Sequence, residues 1–279
     1  MKKARSVLIV CAFLMTLLSF CSMTGKAAET SIYSHAVGAS LVSSAIDMVV
    51  HEPEPRLKKE LEDKTEAIEA EGYNVSFWVY DLNSDQRFSY RETEAYYSAS
   101  TIKGPYVVCL AQEVPSCLDE QRSVIEETIH ISSNDGYKVL WNTYGKEVFL
   151  KWIEKAGCSD IEFIDKWADI TAQELGLLWV QMYDYFMSDT EDSRWLASVF
   201  TDTLNSCIYD TLGGTYTVYS KAGWINSSEY YMVQNDAGIV MADEHPYVIV
   251  VLSNACDCMD LLDPLIDTLD DIHTYMVND

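Results

Sequence analysis

Lysine and arginine are scarce in this chain. Its 279 residues include 19 Lys and Arg against 44 Asp and Glu, which gives a formal net charge of -25. Binding to nucleic acid needs clustered cations, so this charge excludes nucleic acid as a partner and argues against an anionic membrane surface. Glycine and proline are also few, at 12 and 6 residues, whereas 48% of the residues are hydrophobic. This composition excludes collagen-like and disordered chains and indicates a globular protein.

Metal-binding motifs are missing as well. The sequence contains no C-x-x-C pair and no H-E-x-x-H motif, and its five histidines are scattered. Zinc sites in proteins normally show such spacings. We therefore expect that the protein uses neither a metal nor another cofactor. We also expect it to be a monomer. Six cysteines follow Ala27, and an exported chain could oxidise them, but their spacing does not select one pairing.

The N-terminal segment 1–27 resembles a secretory signal peptide. Lys2, Lys3 and Arg5 form a basic start, Val7 to Phe20 is an apolar run, and Gly25-Lys26-Ala27 offers small residues for cleavage. The run is shorter than the roughly 20 residues that span a bilayer, so an uncleaved membrane anchor is the less favoured alternative. Cleavage would leave 15 Lys and Arg against 44 Asp and Glu, a net charge of -29. We expect a secreted, extracytoplasmic protein.

The rest of the chain predicts a tether over 28–55 and one domain over 56–279. A helix from Arg56 is followed by two strand-like segments, a long helical stretch, three more strand-like segments and a C-terminal amphipathic helix. This order predicts an α+β fold in which terminal helices flank an antiparallel sheet and an all-helical lobe is inserted. The α/β lobe would comprise 56–100 and 207–279, and the helical lobe 101–206. A ligand site is expected in the cleft between them.

A serine and a lysine stand one helical turn apart where the first strands lead into the helical stretch. In Ser100-Thr101-Ile102-Lys103, the lysine amine can reach the serine hydroxyl if a helix begins there. A desolvated lysine with a lowered pKa can accept the serine proton and make the hydroxyl nucleophilic. Alone this spacing is weak evidence, because a capping serine and a solvated lysine produce it by chance.

Two further motifs strengthen the interpretation. Ser132-Ser133-Asn134 lies in the helical stretch, and Lys221-Ala222-Gly223 ends a predicted strand. The three motifs, in this order, resemble those of the class A serine β-lactamase and penicillin-binding protein superfamily. The segments Tyr97 to Pro105 and Asn235 to Val240 are similar to the family's nucleophile segment and to its strand after the third motif.

The resemblance implies a role for each matched residue. Ser100 would attack a lactam or peptide carbonyl, and Lys103 would be its base. Ser132 would relay a proton to the leaving nitrogen. The positive charge of Lys221 would favour this proton transfer and attract a substrate carboxylate. Asn134 would hydrogen-bond the acyl-amide side chain of the substrate. Gly223 and Trp224 complete the substrate-binding positions, with the backbone N–H groups of Ser100 and Trp224 forming the oxyanion hole.

The chain departs from the family pattern in three places. Ala222 replaces a hydroxyl residue that helps to bind the substrate carboxylate, which weakens the expected recognition of penicillin-like acids. The stretch from Ser100 to Ser132 is shorter than the family normally has, so the helical lobe is trimmed. The Ω-loop with its deacylating glutamate has no counterpart, because Asp165-Lys166-Trp167 runs directly into the segment that normally follows that loop. Glu174 is the nearest carboxylate, but its spacing from Thr171 is that of a helix capping box.

These residues leave three functional hypotheses. The first is a secreted active-serine hydrolase of β-lactams or related amides, forming an acyl-enzyme that deacylates slowly. The second is a D-alanyl-D-alanine peptidase of the penicillin-binding type, which shares the motifs and lacks the Ω-loop glutamate. The third is a binding protein that retains the fold without efficient chemistry. The intact Ser100, Lys103, Ser132 and Lys221 argue against the third hypothesis.

Overall fold

The computed structural model describes residues 46–48, 53–227 and 231–278. The predicted signal peptide and most of the predicted tether lie outside this range. The described residues belong to one compact unit of the chain. None of the helices within the described ranges is long and apolar enough to cross a membrane.

The N-terminal part of the domain contributes one helix and four strands. Strand β1 comprises Ile46–Met48, and helix α1 comprises Pro55–Ala70, with Leu57, Leu61 and Ile68 buried at helical spacing. Three strands follow: β2 (Val75–Asp81), β3 (Arg87–Tyr90) and β4 (Ala95–Tyr97). Because β1 pairs with β3, residues 46–48 of the predicted tether are part of the sheet rather than a linker.

The central part of the chain is mostly helical. A short 3₁₀ helix (Ala99–Ile102) leads directly into α2 (Lys103–Glu113). The helices that follow are α3 (Cys117–Glu120), α4 (Arg122–Ile129), α5 (Asn134–Tyr144) and α6 (Glu147–Lys155). Strands β5 (Glu162–Ile164) and β6 (Trp167–Thr171) come next, and then α7 (Ala172–Phe186), α8 (Glu191–Val199) and α9 (Cys207–Leu212).

The C-terminal part returns to the sheet. It contains strands β7 (Thr217–Ser220), β8 (Gly223–Ser227), β9 (Tyr231–Met241) and β10 (Tyr247–Ser253), and ends in helix α10 (Met259–Asn278). The main sheet is antiparallel throughout, in the order β1-β3-β2-β10-β9-β7, and β8 also pairs with β9. Strand β10 is buried along its whole length, as its unbroken apolar sequence predicts.

Helices cover both faces of the main sheet. On one face, α1, α9 and α10 pack over apolar side chains of the strands such as Phe77, Val79 and Ile249. On the other face, α7 packs against β2 and β10, where the Trp78 ring lies against the backbone of Gly176. The terminal helices therefore flank the sheet as predicted, and the α+β architecture is confirmed.

The inserted lobe over 101–206 is not all-helical, which corrects the sequence prediction. Strands β5 and β6 form a hairpin within it, and β6 pairs with β4 to make a separate three-stranded sheet in the order β4-β6-β5. In β6 the buried residues alternate, with Ala168 and Ile170 buried and Asp169 exposed. This two-residue period is typical of a half-buried strand. The strand is too short for the period to be distinguished in the sequence, where the surrounding segment was interpreted as helical.

Candidate active site

The backbone around Ser100 is fixed by a neighbouring strand. Ser98 donates its backbone N–H to Ala168 O (2.8 Å), and Ala168 returns its own N–H to Ser98 Oγ (3.1 Å). Ala99, immediately before Ser100, has a φ of 45°, which is unusual for a residue other than glycine. Such backbone strain is stored where surrounding structure holds it, and it is common at functional sites. Ser100 itself is half-buried.

Lys103 points from the start of α2 to the second motif. Its side chain is fully buried, and its Nζ donates to Ser132 O (2.8 Å) and to Asn134 Oδ1 (2.7 Å). Burial, together with the charge of Lys138, lowers the pKa of Lys103 to about 7. Within the described part of the chain, no hydrogen bond joins Lys103 to Ser100 Oγ. The lysine is therefore placed by the second motif, and at neutral pH much of it is unprotonated.

Ser132 lies between the two lysines. It occupies the loop between α4 and α5 with a φ of 60°, while its neighbour Ser133 caps α5 by accepting the N–H of Gly136 (3.0 Å). The backbone carbonyl of Ser132 accepts from Lys103, and its hydroxyl accepts from Lys221 Nζ (3.1 Å). The three motifs of the sequence are thus in direct contact.

Lys221 approaches from the sheet, at the turn between β7 and β8. It is fully buried and also donates to Ala222 O (2.7 Å). Burial and the nearby Lys103 lower its pKa to about 7, although Asp236 acts in the opposite direction. Each of the two lysines that contact Ser132 therefore has a lowered pKa, which is the condition under which a lysine can act as a base at neutral pH.

Asp236 is a functional candidate that the sequence analysis did not single out. This fully buried carboxylate on β9 accepts from the N–H groups of Ile208 and Ala237, both at 3.0 Å, and from Ser206 Oγ at 2.7 Å. Burial raises its pKa to about 7, while these donors and Lys221 favour the charged form. Because its two oxygens face N–H donors, we assign Asp236 as the ionised counter-charge of Lys221. Its sequence context, an acid inside a buried strand, was the available clue.

Gly223 brings the third motif against the nucleophile. A Cβ built on Gly223 would lie 2.5 Å from the backbone nitrogen of Thr101 and 2.6 Å from that of Ser100. Only glycine permits this approach of β8 to the 3₁₀ helix. The following residue, Trp224, therefore lies on the strand that contacts the 3₁₀ helix carrying Ser100.

The chain was compared with known proteins. The model of the beta-lactamase enzyme family matches residues 56–116 and 120–270. The chain belongs to this family. A search of curated proteins found no match.

Solved structures share the beta-lactamase fold. A beta-lactamase from Sphaerobacter thermophilus is 14% identical, with a TM-score of 0.66 over 77% of this chain and 97% of its own. PBP-A is 15% identical, with a TM-score of 0.64 over 81% of this chain and 98% of its own. A mutant of PBP-A, solved as an acyl-enzyme complex with penicillin G, is 16% identical, with a TM-score of 0.63 over 80% of this chain and 98% of its own.

The β5–β6 hairpin contains the segment Asp165-Lys166-Trp167, where the sequence predicts that the Ω-loop of the beta-lactamase family has no counterpart. Tyr137 OH donates to Lys166 O (2.7 Å) at the tip of this hairpin, and the ring centroid of Tyr137 lies 5.7 Å from Lys103 Nζ. The acids of the hairpin face solvent: Asp165 is 65% exposed and pairs with Lys166. No group of three or more acidic, histidine or cysteine side chains that could hold a metal occurs in the described ranges.

Glu174, the nearest carboxylate named from the sequence, is a capping residue. Its Oε2 accepts from the N–H of Thr171 (2.9 Å), and Thr171 Oγ1 accepts from the N–H of Glu174 (3.2 Å). This is the reciprocal capping box that the spacing predicts at the start of α7. The Glu174 carboxylate is therefore hydrogen-bonded to the N-terminus of α7.

Proposed function

We propose that this member of the beta-lactamase family is a secreted active-serine hydrolase. Its substrates would be β-lactams or related amides, and Ser100 would form the acyl-enzyme. The observation that supports this most is the convergence of Lys103 and Lys221 on Ser132, with both ammonium groups buried. Burying two lysines costs stability, and a purely structural role gives no compensation for that cost.

In the proposed acylation step, unprotonated Lys103 accepts the proton of Ser100 Oγ. The oxygen attacks the carbonyl carbon, an O–C bond forms, and the C–N bond of the lactam or amide breaks. Ser132 passes its hydroxyl proton to the leaving nitrogen and regains one from the lysines. No external oxidant or reductant is required. Ser132 is hydrogen-bonded to both lysines, and the lowered pKa of Lys103 makes it a base at neutral pH.

The developing oxyanion would be stabilised by the N–H groups of Ser100 and Trp224. Removal of one such donor typically costs about 3 kcal/mol of transition-state stabilisation. The close approach of Gly223 to the backbone nitrogens of Ser100 and Thr101 supports this assignment, because Trp224 directly follows Gly223 in β8.

Deacylation is proposed to be slow. Hydrolysis of the acyl-enzyme needs a base beside the attacking water, and the acids of the β5–β6 hairpin are solvated or paired. The half-buried Glu174 is engaged in capping α7. An acyl-enzyme that persists would therefore be the main observable species.

A second candidate is a D-alanyl-D-alanine peptidase of the penicillin-binding type. The specific observation in its favour is the same short hairpin, since such peptidases lack the Ω-loop glutamate. The two candidates share the acylation chemistry and differ in substrate. Release of D-alanine from a peptidoglycan-type peptide would favour the peptidase, whereas hydrolysis of a chromogenic cephalosporin would favour the lactamase.

The central test is labelling of the mature protein by a fluorescent penicillin, followed by intact mass. The probe is supplied both as the free acid and as its neutral methyl ester, so that the carboxylate is not a condition of labelling. Ser100→Ala is the control and is expected to stay unlabelled. Transient label on the wild type supports the lactamase, and stable label the peptidase. If neither form labels the wild type, both hypotheses are rejected.

Secretion has a separate test. N-terminal sequencing of the exported protein is expected to find a chain that begins at Ala28, directly after the predicted cleavage site. A protein that retains Met1 and stays with the cell membrane would support the uncleaved anchor instead.

A further inference from the structure

The ammonium group of Lys221 is covered by an indole ring. Two of its protons are donated to Ser132 Oγ and Ala222 O, and the Trp224 ring lies over it at 5.9 Å from Nζ to the ring centroid. That distance is within the range of a cation–π contact. Lys221 is 0% exposed, whereas Trp224 is half-buried. A ligand that reaches this point of the site therefore meets an aromatic surface before it meets a charge.

Ala222, next to Lys221, has no side-chain hydrogen-bond donor for an anion. Ala222 is fully buried and presents a methyl group where a hydroxyl could have donated to an anion. A carboxylate placed against Lys221 would come close to the Trp224 ring, and it would lose hydration without a hydroxyl donor from residue 222.

The acidic residues after Arg194 also disfavour a substrate carboxylate. After Arg194, Lys221 is the only lysine or arginine in the sequence, against 13 Asp and Glu. The carboxylate of Asp236, buried on β9, adds a negative charge that acts on Lys221 and raises its pKa. In this part of the chain, no lysine or arginine other than Lys221 offsets these acidic residues for an approaching anion.

We propose that the acyl donor of this enzyme has no carboxylate beside the scissile bond and instead places an apolar or aromatic group on Trp224. The inference rests on the proposed acylation of Ser100 and specifies its substrate class: neutral lactams, amides or esters. Trp224 acts as a specificity-determining residue through its ring, and its N–H contributes separately to the oxyanion hole.

The test compares benzylpenicillin with its methyl ester on the full-length mature protein. The two compounds differ only in the carboxylate. The rate constant for acylation of Ser100 is measured by intact mass for each compound. It is then divided by the rate constant for alkaline hydrolysis of that compound's lactam ring in the absence of protein. We expect the ester to react at least about tenfold faster after this correction, since one charged contact is worth roughly that factor or more. Trp224→Ala, alone and with Ala222→Thr, is expected to reduce or reverse the preference.

Matched variants separate specificity from folding. Trp224→Phe keeps an aromatic ring and should keep the preference for the ester. Trp195→Ala removes a tryptophan that packs on Arg122 outside the site and should change neither rate. If the acid reacts faster than the ester with the wild type, or if Trp224→Ala leaves the ratio unchanged in a folded protein, the inference is wrong while the proposed function stands. If neither compound acylates Ser100, the proposed function itself fails.

Discussion

The two sides of the site differ in how they treat charge. On the side of the three motifs, Lys103, Lys221 and Asp236 are buried and held by short hydrogen bonds. On the side of the β5–β6 hairpin, Asp165 and Asp169 face solvent. Burial shifts the pKa of a group, and its hydrogen bonds fix its orientation, whereas an exposed carboxylate is not held towards the motifs by buried contacts. Under the proposed function, the groups that would form an acyl-enzyme are buried and oriented, and the acids of the hairpin that could help to hydrolyse it are exposed.

The largest expected effect tests the buried side. Lys103→Ala should lower the acylation rate by about 10³-fold, because a positioned general base contributes 10²–10⁴-fold. In the wild type, acylation should rise with pH through about 7, since Lys103 acts as a base only after losing its proton. Stopped-flow labelling between pH 5.5 and 9 measures both. A variant that retains a tenth of the wild-type rate would show that another group is the base.

The next effect concerns the contact between β8 and the nucleophile. Gly223→Ala places a methyl group within 2.6 Å of the Ser100 nitrogen, so β8 must move away and the oxyanion donors must separate. We expect acylation to fall about 10²-fold. Gly214→Ala is the matched control, because a Cβ there has no neighbour within 4 Å. Equal rates for the two variants, with both proteins folded by circular dichroism, would contradict the proposed oxyanion hole.

Asp236→Asn should have an intermediate effect with a distinctive pH dependence. The carboxylate raises the pKa of Lys221, so its removal should lower that pKa and leave Lys221 uncharged at a lower pH. Because protonated Lys221 supplies the proton that Ser132 regains, acylation should also fall at high pH. In Asp236→Asn this fall should begin at a lower pH, with a rate about tenfold below that of the wild type at pH 8. The exposed Asp243→Asn should leave the profile unchanged. A general loss of rate without a shift would mean that Asp236 acts only through packing.

The smallest effect tests the hairpin side. Glu174→Gln should change the deacylation rate less than about twofold and lower the free energy of unfolding by about 0.5–1 kcal/mol, because the residue caps α7. The decay of the labelled protein and urea denaturation measure the two quantities. A tenfold slower decay would make Glu174 a deacylating base and would remove the contrast between the two sides.

Much of this arrangement was predictable from the sequence. The terminal helices, the β2–β3 hairpin and the buried β10 follow from hydrophobic period and β-branched composition. The capping box follows from the spacing of Thr171 and Glu174. The three motifs were identified by residue type and order, and the structure places Ser132 in contact with both Lys103 and Lys221.

The remainder depends on long-range contacts. Nothing local in Trp167–Thr171 reveals that it pairs with Ala95–Tyr97, which lies far earlier in the chain. Strand β8 was missed because its start, Gly223, has low strand propensity, and its pairing with β9 determines it. Asp236 could be recognised as a charged group in a buried strand, but its partners Ser206 and Ile208 belong to a different element, α9 and its cap. Such contacts are set by tertiary packing rather than by local pattern.

The position of β10 also determines when the site can form. Its neighbours in the sheet are β2, from the beginning of the domain, and β9, which directly precedes it. A ribosome delivers β2 long before β10, so β2 has no partner on that side until the last strand has been synthesised. Closure over so long a separation is slow. The sheet therefore stays incomplete until β10 has been synthesised, and this order of folding is compatible with the proposed export through a channel for unfolded polypeptides.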